Sequence, residues 1–362
     1  MKKITVALGD RSYPVIVGQH VLPSLGAIVK KFHLGTDAVV ISNAMVRKIY
    51  GARIRHALNA KKISVKFLDI ADSEQSKSQK SAFHLIDKIA RHDVGRKIFV
   101  IALGGGVVGD IAGFVASIYK RGIPLVQVPT TLLAQIDSSI GGKTAIDLSL
   151  GKNLVGAFYQ PRLVLSDVTV LRSLDQRQLR NGLAEAIKYG AICDASLLRY
   201  IERNISKLLS CEGKALTHVI ERCSAIKARI VSLDERETRG LRTILNFGHT
   251  LGHGIETAGG YRRYQHGEAV ALGMRMAAHL SVEKRMLAER DRQRLDKILT
   301  NAGLPDIVQG VCAQRILKAA AHDKKNVAKK NRYVLLEKLG KAKVCEGIPL
   351  TFIERAIRQY SA

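Results

Sequence analysis

Tryptophan is absent, and phenylalanine and tyrosine make up only 5% of the 362 residues, so the interior this sequence can build is aliphatic. Aromatic residues interleaved with basic ones, the platform on which single-stranded nucleic acid stacks, are missing too. Cysteine is scarce: Cys193, Cys211, Cys223, Cys312 and Cys345 form an odd set without a C-x-x-C pair. That argues against a thiolate metal centre and for a reducing compartment, the cytoplasm by default. No apolar run approaches the roughly 18 to 20 residues of a membrane helix. The opening Met1 to Leu8 briefly imitates a signal peptide, but Gly9-Asp10-Arg11 cuts its apolar part short, and the segment reads as a first strand. Acidic residues are few, 31 against 58 Lys and Arg, for a formal charge of +27. The excess is scattered along the chain and densest from Lys324 to Lys343. It favours anionic substrates and salt-dependent adhesion over specific nucleic-acid recognition.

What the sequence does have is a change of period. Its length fits two domains sharing one cleft. Residues 1–172 alternate short β-branched runs with amphipathic stretches. The runs are Ile4–Val6, Val15–Val17, Val39–Ser42, Val65–Leu68, Ile98–Leu103, Leu125–Val128 and Leu163–Asp167; Val46–Leu58 and Ser78–Arg91 have helical spacing. This is the pattern of an α/β domain with a mainly parallel sheet. Residues 173–362 read as a mainly α-helical domain, with helical patterns at 175–205, 214–234, 243–258 and 266–299 and one late strand at Arg332–Leu336. Val219, Ile220, Cys223, Ile226 and Ile230 are spaced to form one apolar stripe. No repeat, low-complexity stretch or Pro/Ser-rich linker interrupts the chain.

The strand Ile98–Leu103 runs into Gly104-Gly105-Gly106-Val107-Val108-Gly109-Asp110 and then a helical pattern. Glycines there allow a pyrophosphate to approach the backbone, and a helix start offers free N–H donors. The motif follows a mid-domain strand and lacks the downstream ribose-binding acid, both against a standard Rossmann reading, and a tight strand-to-helix turn with close packing is the alternative to nucleotide binding. The next strand ends at Val128-Pro129-Thr130-Thr131, followed by Asp137-Ser138-Ser139-Ile140-Gly141-Gly142-Lys143-Thr144. Gly142-Lys143-Thr144 imitates the end of a P-loop, but Asp137 stands where its first glycine belongs, which excludes an NTPase. Two strand ends with glycines, hydroxyls and Lys143, and with Lys152 and Asn153 close by, point to a phosphate-rich ligand at the sheet's carboxyl edge.

In the helical half, Asn246-Phe247-Gly248-His249-Thr250-Leu251-Gly252-His253 puts two histidines at i and i+4, on one helix face. His266-Gly267-Glu268 adds a third, and Glu185 and Lys188 lie one turn apart upstream. Imidazoles and a carboxylate without thiolates suit Zn²⁺ or a similar ion with open positions. Spacing alone would pair His249 with His253 as ligands. The H-E-x-x-H pattern is not met, so protease chemistry drops out. Lys227, Arg242 and Lys324 are further cations of interest, and Arg242 shares a helix face with Asn246.

Together these motifs, with Asp72-Ser73-Glu74-Gln75-Ser76-Lys77, Gly182–Gly190, Asp234-Glu235-Arg236-Glu237 and Asp323-Lys324-Lys325, resemble the 3-dehydroquinate synthase family in order and over most of the chain. The resemblance implies a Rossmann-like N-terminal domain, a helical C-terminal domain, NAD, one divalent metal (Zn or Co) and a homodimer. It implies conversion of 3-deoxy-arabino-heptulosonate 7-phosphate to 3-dehydroquinate by transient oxidation, phosphate loss, re-reduction, ring opening and aldol closure. Metal ligands carry over to Glu185, His249 and His266, and His253 then becomes a catalytic or phosphate-side residue. Dinucleotide contacts fall on Asp72, Glu74, Lys77, Gly105, Gly106, Val107, Val108, Gly109, Asp110, Thr130, Thr131, Lys143, Lys152, Val170 and Ser173. Substrate contacts fall on Asp137, Lys143, Asn153, Lys188, Lys227, Arg242, Asn246 and Lys324, with Arg121 reaching in from a partner subunit. Ser73 replaces a usual glycine, Leu174-Asp175 stands where Leu-Pro is common, and Arg239 is an extra residue before Gly240-Leu241-Arg242.

Overall fold

The structure, a computed structural model, describes residues 1–321 and 331–362; Lys324 lies outside the described residues. The chain divides into two compact units, Met1–Leu174 with Leu216–Arg236, and Asp175–Ala215 with Glu237–Ala362. This differs from the division expected at 172/173 in one respect: Leu216–Arg236, placed by sequence in the helical half, belongs to the first unit.

The first unit contains β1 (Lys2–Val6), β2 (Tyr13–Gly18), α1 (Leu25–Lys31), β3 (Asp37–Asn43), α2 (Ala44–Asn59), β4 (Ser64–Ile70), α3 (Gln79–Ala90), β5 (Ile98–Gly104) and α4 (Gly106–Ile118). It continues with β6 (Leu125–Pro129), β7 (Lys143–Leu148), β8 (Gly151–Phe158) and β9 (Leu163–Asp167). Seven strands form one sheet in the order β1-β2-β9-β6-β5-β3-β4, parallel except for the β1–β2 pair. β3 and β5 are buried along their whole length, as parallel strands covered on both faces must be. Their continuous apolar runs follow from that. The Asn43 side chain accepts from Val46 N–H and starts α2, and Ser78 does the same for α3 from Ser81. β3 passes the chain outward to β4 while β5 passes it the other way to β6, so the carboxyl ends of β3 and β5 flank the point where strand order reverses. Ligands of open α/β sheets bind there.

β7 and β8, which the sequence reading did not foresee, pair as a separate antiparallel hairpin. Lys143 opens β7 instead of a helix, which removes the P-loop likeness structurally. Most of the seventh helix of the chain, α7 (Gly213–Leu233), lies in this unit. Its stripe also departs from expectation. Val219, Ile220 and Cys223 are buried, but Ser224, Lys227, Ala228 and Val231 continue the buried face where Ile226 and Ile230 were expected.

The second unit contains α5 (Gln176–Cys193), α6 (Ala195–Leu209), a 3-10 turn at Leu241–Asn246, α8 (His249–Ala258), α9 (His266–Glu283), α10 (Glu289–Asn301), α11 (Ala313–Ala321) and α12 (Leu350–Gln359). The hairpin β10 (Arg332–Lys338) and β11 (Lys341–Glu346) completes it. The helical runs expected at 175–205 and 266–299 are each two helices, split at Asp194, which caps α6, and at the turn before Glu289. α9 is buried from Ala269 to Leu280 except at His279, so it forms the axis of this unit. Helices apolar on every side are interior helices.

Candidate active site

In the second unit three helices are drawn together by missing side chains. A Cβ on Gly273 of α9 would lie 2.0 Å from the Gly248 carbonyl oxygen, and one on Gly267 would lie 2.2 Å from the Asn181 carbonyl oxygen of α5. Gly248 itself has φ +78°, a left-handed conformation that lets α8 begin at the next residue. As a result His249, the first residue of α8, and His266, the first of α9, meet Glu185 in the middle of α5.

His249 Nε2 and His266 Nε2 each lie 3.4 Å from Oε1 of Glu185, and their ring centroids are 5.3 Å apart. The ligand atoms of the three fall within 4.8 Å of one another. Glu185 is fully buried, and its Oε1 has no hydrogen-bond partner although Oε2 is ion-paired with Lys188. An orphaned carboxylate oxygen facing two ring nitrogens fits a divalent ion, because such an atom is costly unless something fills the space between them. The electrostatics agree. Burial would raise the Glu185 pKa, but Lys188, His249 and His266 hold it well below the carboxylate range. Burial and the Lys188 charge keep His249 neutral, with its pKa lowered. His266, whose charge burial disfavours, is nonetheless pushed up to about 9 by Glu185 and Glu256.

No triad with this geometry includes both His249 and His253 among the described residues. The pairing that i, i+4 spacing favours is therefore replaced: His253 groups with Glu256 and His266 instead. Arg242 is buried, with Nε 3.5 Å from Glu237, and Asn246 closes the turn that leads to Gly248. Glu237 enters the sequence reading only as the last residue of the motif Asp234-Glu235-Arg236-Glu237, and Glu256 was not singled out there. Glu256 could have been found, because it lies seven residues after His249 on the same face of α8.

In the first unit the expected dinucleotide contacts follow the carboxyl ends of parallel strands. Asp72, Glu74 and Lys77 come after β4, Gly105 to Asp110 after β5, Thr130 and Thr131 after β6, and Val170 and Ser173 after β9. Gly105 is the N-cap of α4 and provides no side-chain cap, so first-turn N–H groups remain open to an anion. A Cβ on Gly105 would stand 3.0 Å from Cγ2 of Thr131, so the two strand ends abut. Tyr50 OH contacts Val170 O at 2.9 Å and Ser173 Oγ at 2.6 Å.

Lys77 is buried and central. Its Nζ donates to Asp110 at 2.7 Å and to Asn153 Oδ1, with Glu74 and Asp147 each at 4.0 Å, while Lys152 reaches Glu74 at 3.4 Å. Burial opposes the Lys77 charge, but these carboxylates prevail and raise its pKa. Asn153, expected beside substrate, thus sits among the dinucleotide candidates, at φ +54°. Asp137 and buried Lys227 are paired: Nζ donates to the Asp137 carbonyl at 2.7 Å and to its carboxylate. Lys143 is exposed at the start of β7. Arg121 is apart from all of these. It ends the turn after α4 and precedes β6, at the amino edge of the sheet, with Lys120 and Arg121 both at positive φ. Asp93 anchors that turn through Tyr119 OH, at 2.8 Å, and the Lys120 ammonium.

The chain has the fold of 2-deoxy-scyllo-inosose synthase complexed with carbaglucose-6-phosphate, NAD⁺ and Co²⁺ (TM-score 0.90, 28% identity, covering 99% of this chain and 100% of that one). It is equally similar to 2-epi-5-epi-valiolone synthase from Streptomyces hygroscopicus with NAD⁺ and Zn²⁺ bound (TM-score 0.89, 29% identity, 98% of each chain). An iron-containing alcohol dehydrogenase from Thermotoga maritima shares the fold at 18% identity and TM-score 0.67, covering 96% of this chain and 97% of that one. Family models narrow this further. Those for the N-terminal and C-terminal parts of 3-dehydroquinate synthase match residues 67–181 and 182–326. The 3-dehydroquinate synthase of Desulforamulus reducens is 44% identical over 96% of this chain and 97% of the relative. That of Neisseria meningitidis serogroup C is 41% identical over 99% and 100%. The chain belongs to the 3-dehydroquinate synthase family.

Proposed function

We propose that this protein catalyses the 3-dehydroquinate synthase reaction, converting 3-deoxy-D-arabino-heptulosonate 7-phosphate to 3-dehydroquinate and phosphate in the cytoplasm, as a homodimer with NAD and one divalent ion, Zn or Co. The observation that carries the reading is the orphaned Glu185 oxygen facing two imidazoles in a chain of this family. Glu185, His249 and His266 would hold the ion, and the glycine turn before α4 would hold the dinucleotide pyrophosphate. When bound, NAD⁺ supplies reversible hydride acceptance and the ion supplies Lewis-acid polarisation of the reacting carbon–oxygen bond.

The chain's own residues bind and orient. Lys143, Lys188, Lys227, Arg242 and Lys324 match a substrate with a carboxylate at one end and a phosphate at the other, and Arg-to-carboxylate pairing fixes direction as well as charge. Asn246, at the end of its 3-10 turn, and Asn153 supply neutral donors for hydroxyls. Asp137 keeps Lys227 in place through their ion pair. His253, one helical turn from His249 with ring centroids 5.4 Å apart, is positioned to take or give a proton while the ligand imidazoles cannot. Substrate phosphate accepts the proton of the elimination, so no further base is required. Arg121 serves the site of the partner subunit, which accounts for its place at the edge of the sheet away from the other candidates.

Incubation with the heptulosonate phosphate, substoichiometric NAD⁺ and Zn²⁺ or Co²⁺ tests the reading. Phosphate release with many turnovers per NAD⁺ is expected. Stoichiometric NADH would indicate a polyol dehydrogenase instead, and absence of phosphate release would sink the assignment. Turnover of a sugar phosphate lacking the carboxylate in preference to the heptulosonate would favour an inosose- or valiolone-type cyclase.

A further inference from the structure

The second nitrogen of each imidazole in the proposed triad faces an oxygen. For His249 it is the Phe247 carbonyl, 3.2 Å from Nδ1. For His266 it is a side chain: Oε2 of Glu256 lies 3.6 Å from Nδ1, so the ring stands between carboxylates, Glu185 on its Nε2 side and Glu256 on its Nδ1 side. Glu256 is 8% exposed and projects from the same face of α8 as His249 and His253.

We infer that Glu256 is a positioning residue for the ion site: it holds the His266 proton on Nδ1, presents the Nε2 lone pair to the ion, and sets the affinity with which the ion is kept. The inference rests on the triad proposed above. A neutral imidazole has two tautomers, and only one leaves Nε2 free to ligate. His266 is the more exposed of the two imidazoles, at 33% against 12%, so packing constrains it less and a charged acceptor has more to contribute. Carboxylate partners behind ligand histidines have this effect generally, and losing one costs about 10- to 100-fold in affinity.

The test is the Zn²⁺ dissociation constant of the full-length protein, measured by chelator competition, with the visible absorption of the Co²⁺ form as a second readout. Glu256→Ala is expected to weaken Zn²⁺ by about 10- to 100-fold. Glu256→Gln retains an acceptor for Nδ1–H and lacks only the charge, so it is expected to weaken Zn²⁺ by a smaller factor and to shift the Co²⁺ band. If the alanine variant does not fold, the glutamine variant decides alone. Glu256→Gln with wild-type affinity and an unchanged Co²⁺ band would overturn the inference. So would two ions per wild-type chain and one in the variant, which would make Glu256 a ligand of a second site with His253 and His266. His249→Ala serves as the control: if it keeps its ion, the triad itself is wrong. Because neither readout needs substrate, failure of the synthase assay leaves this test intact.

Discussion

Replacing Lys188 by methionine separates the structural from the ion-binding role of the Glu185 surroundings. Lys188 and Glu185 are 1% and 0% exposed, one turn apart on α5, and paired. Removing the ammonium leaves a carboxylate in the interior with imidazoles that carry at most partial compensation, a change that typically costs about 3–5 kcal/mol. At about 2–4 °C per kcal/mol for a unit of this size, the metal-free variant should melt roughly 6–20 °C below the metal-free parent. A divalent ion on Glu185 restores the missing positive charge and is no longer opposed by a neighbouring ammonium. With saturating Zn²⁺ the gap should therefore close to less than half, and the Zn²⁺-induced rise in melting temperature should be larger in the variant than in the parent. Calorimetric or fluorescence melting of both proteins, with and without Zn²⁺, measures this directly. An equal deficit in both conditions would refute the reasoning, because it would mean that the ion and the ammonium do not answer to the same carboxylate.

Gly113→Ala places a Cβ 2.3 Å from Cγ2 of Thr144, a β-branched residue of β7, and should cost about 1–3 kcal/mol by urea denaturation; an unchanged midpoint would show that α4 and the hairpin are not in this contact. Asp37 is buried, and although burial would raise its pKa, hydrogen bonds from Ser64, Thr36 and Arg96 lower it. A lowered folded-state pKa contributes stability that is complete above the unfolded value of about 4 and lost as pH falls through the folded value. The stability difference between the parent and Asp37→Asn should therefore be flat from neutral pH to about 5 and shrink on further acidification; a gap that widens in acid would contradict it. Arg121→Ala and His249→Ala should each be inactive alone, yet a mixture refolded together should regain about a quarter of parental activity through hybrid dimers with one intact site. No recovery would place Arg121 in its own chain's site, and an Arg121→Ala chain that is active by itself would place it outside the site altogether.

The parallel sheet was legible because strands covered on both sides must be apolar throughout, and β3 and β5 are. The hairpin β7–β8 was not. Its residues are partly exposed and mixed in character, and Gly141-Gly142-Lys143-Thr144 drew attention to a phosphate loop instead. Helix boundaries at Asp194 and before Glu289 were hidden by continuous helical spacing, in which a capping aspartate or a short turn leaves little trace. Local spacing told little of the proposed ion site, since i, i+4 tells which residues share a face but not what that face meets. Glu185, His249 and His266 come together only through the close approach of three helices at Gly267 and Gly273. Family resemblance had implied that set, and the close helix approach is what brings the three side chains' ligand atoms within 4.8 Å of one another. Lys227 was named as a cation of interest, but its burial was not foreseen, because the apolar stripe assigned that face of the helix to branched hydrocarbons.

Both ligand imidazoles open helices, so the amino ends of α8 and α9 converge where a cation would reside. Each such end carries roughly half a positive charge, which favours anions and disfavours metal ions. An ion bound as proposed would be held against an adverse field that Glu185 only partly cancels. An incoming phosphorylated acid would relieve the imbalance, so ion and substrate would strengthen each other's hold by the same factor. On the proposed ligation, the resting enzyme would release its ion more readily than the enzyme at work.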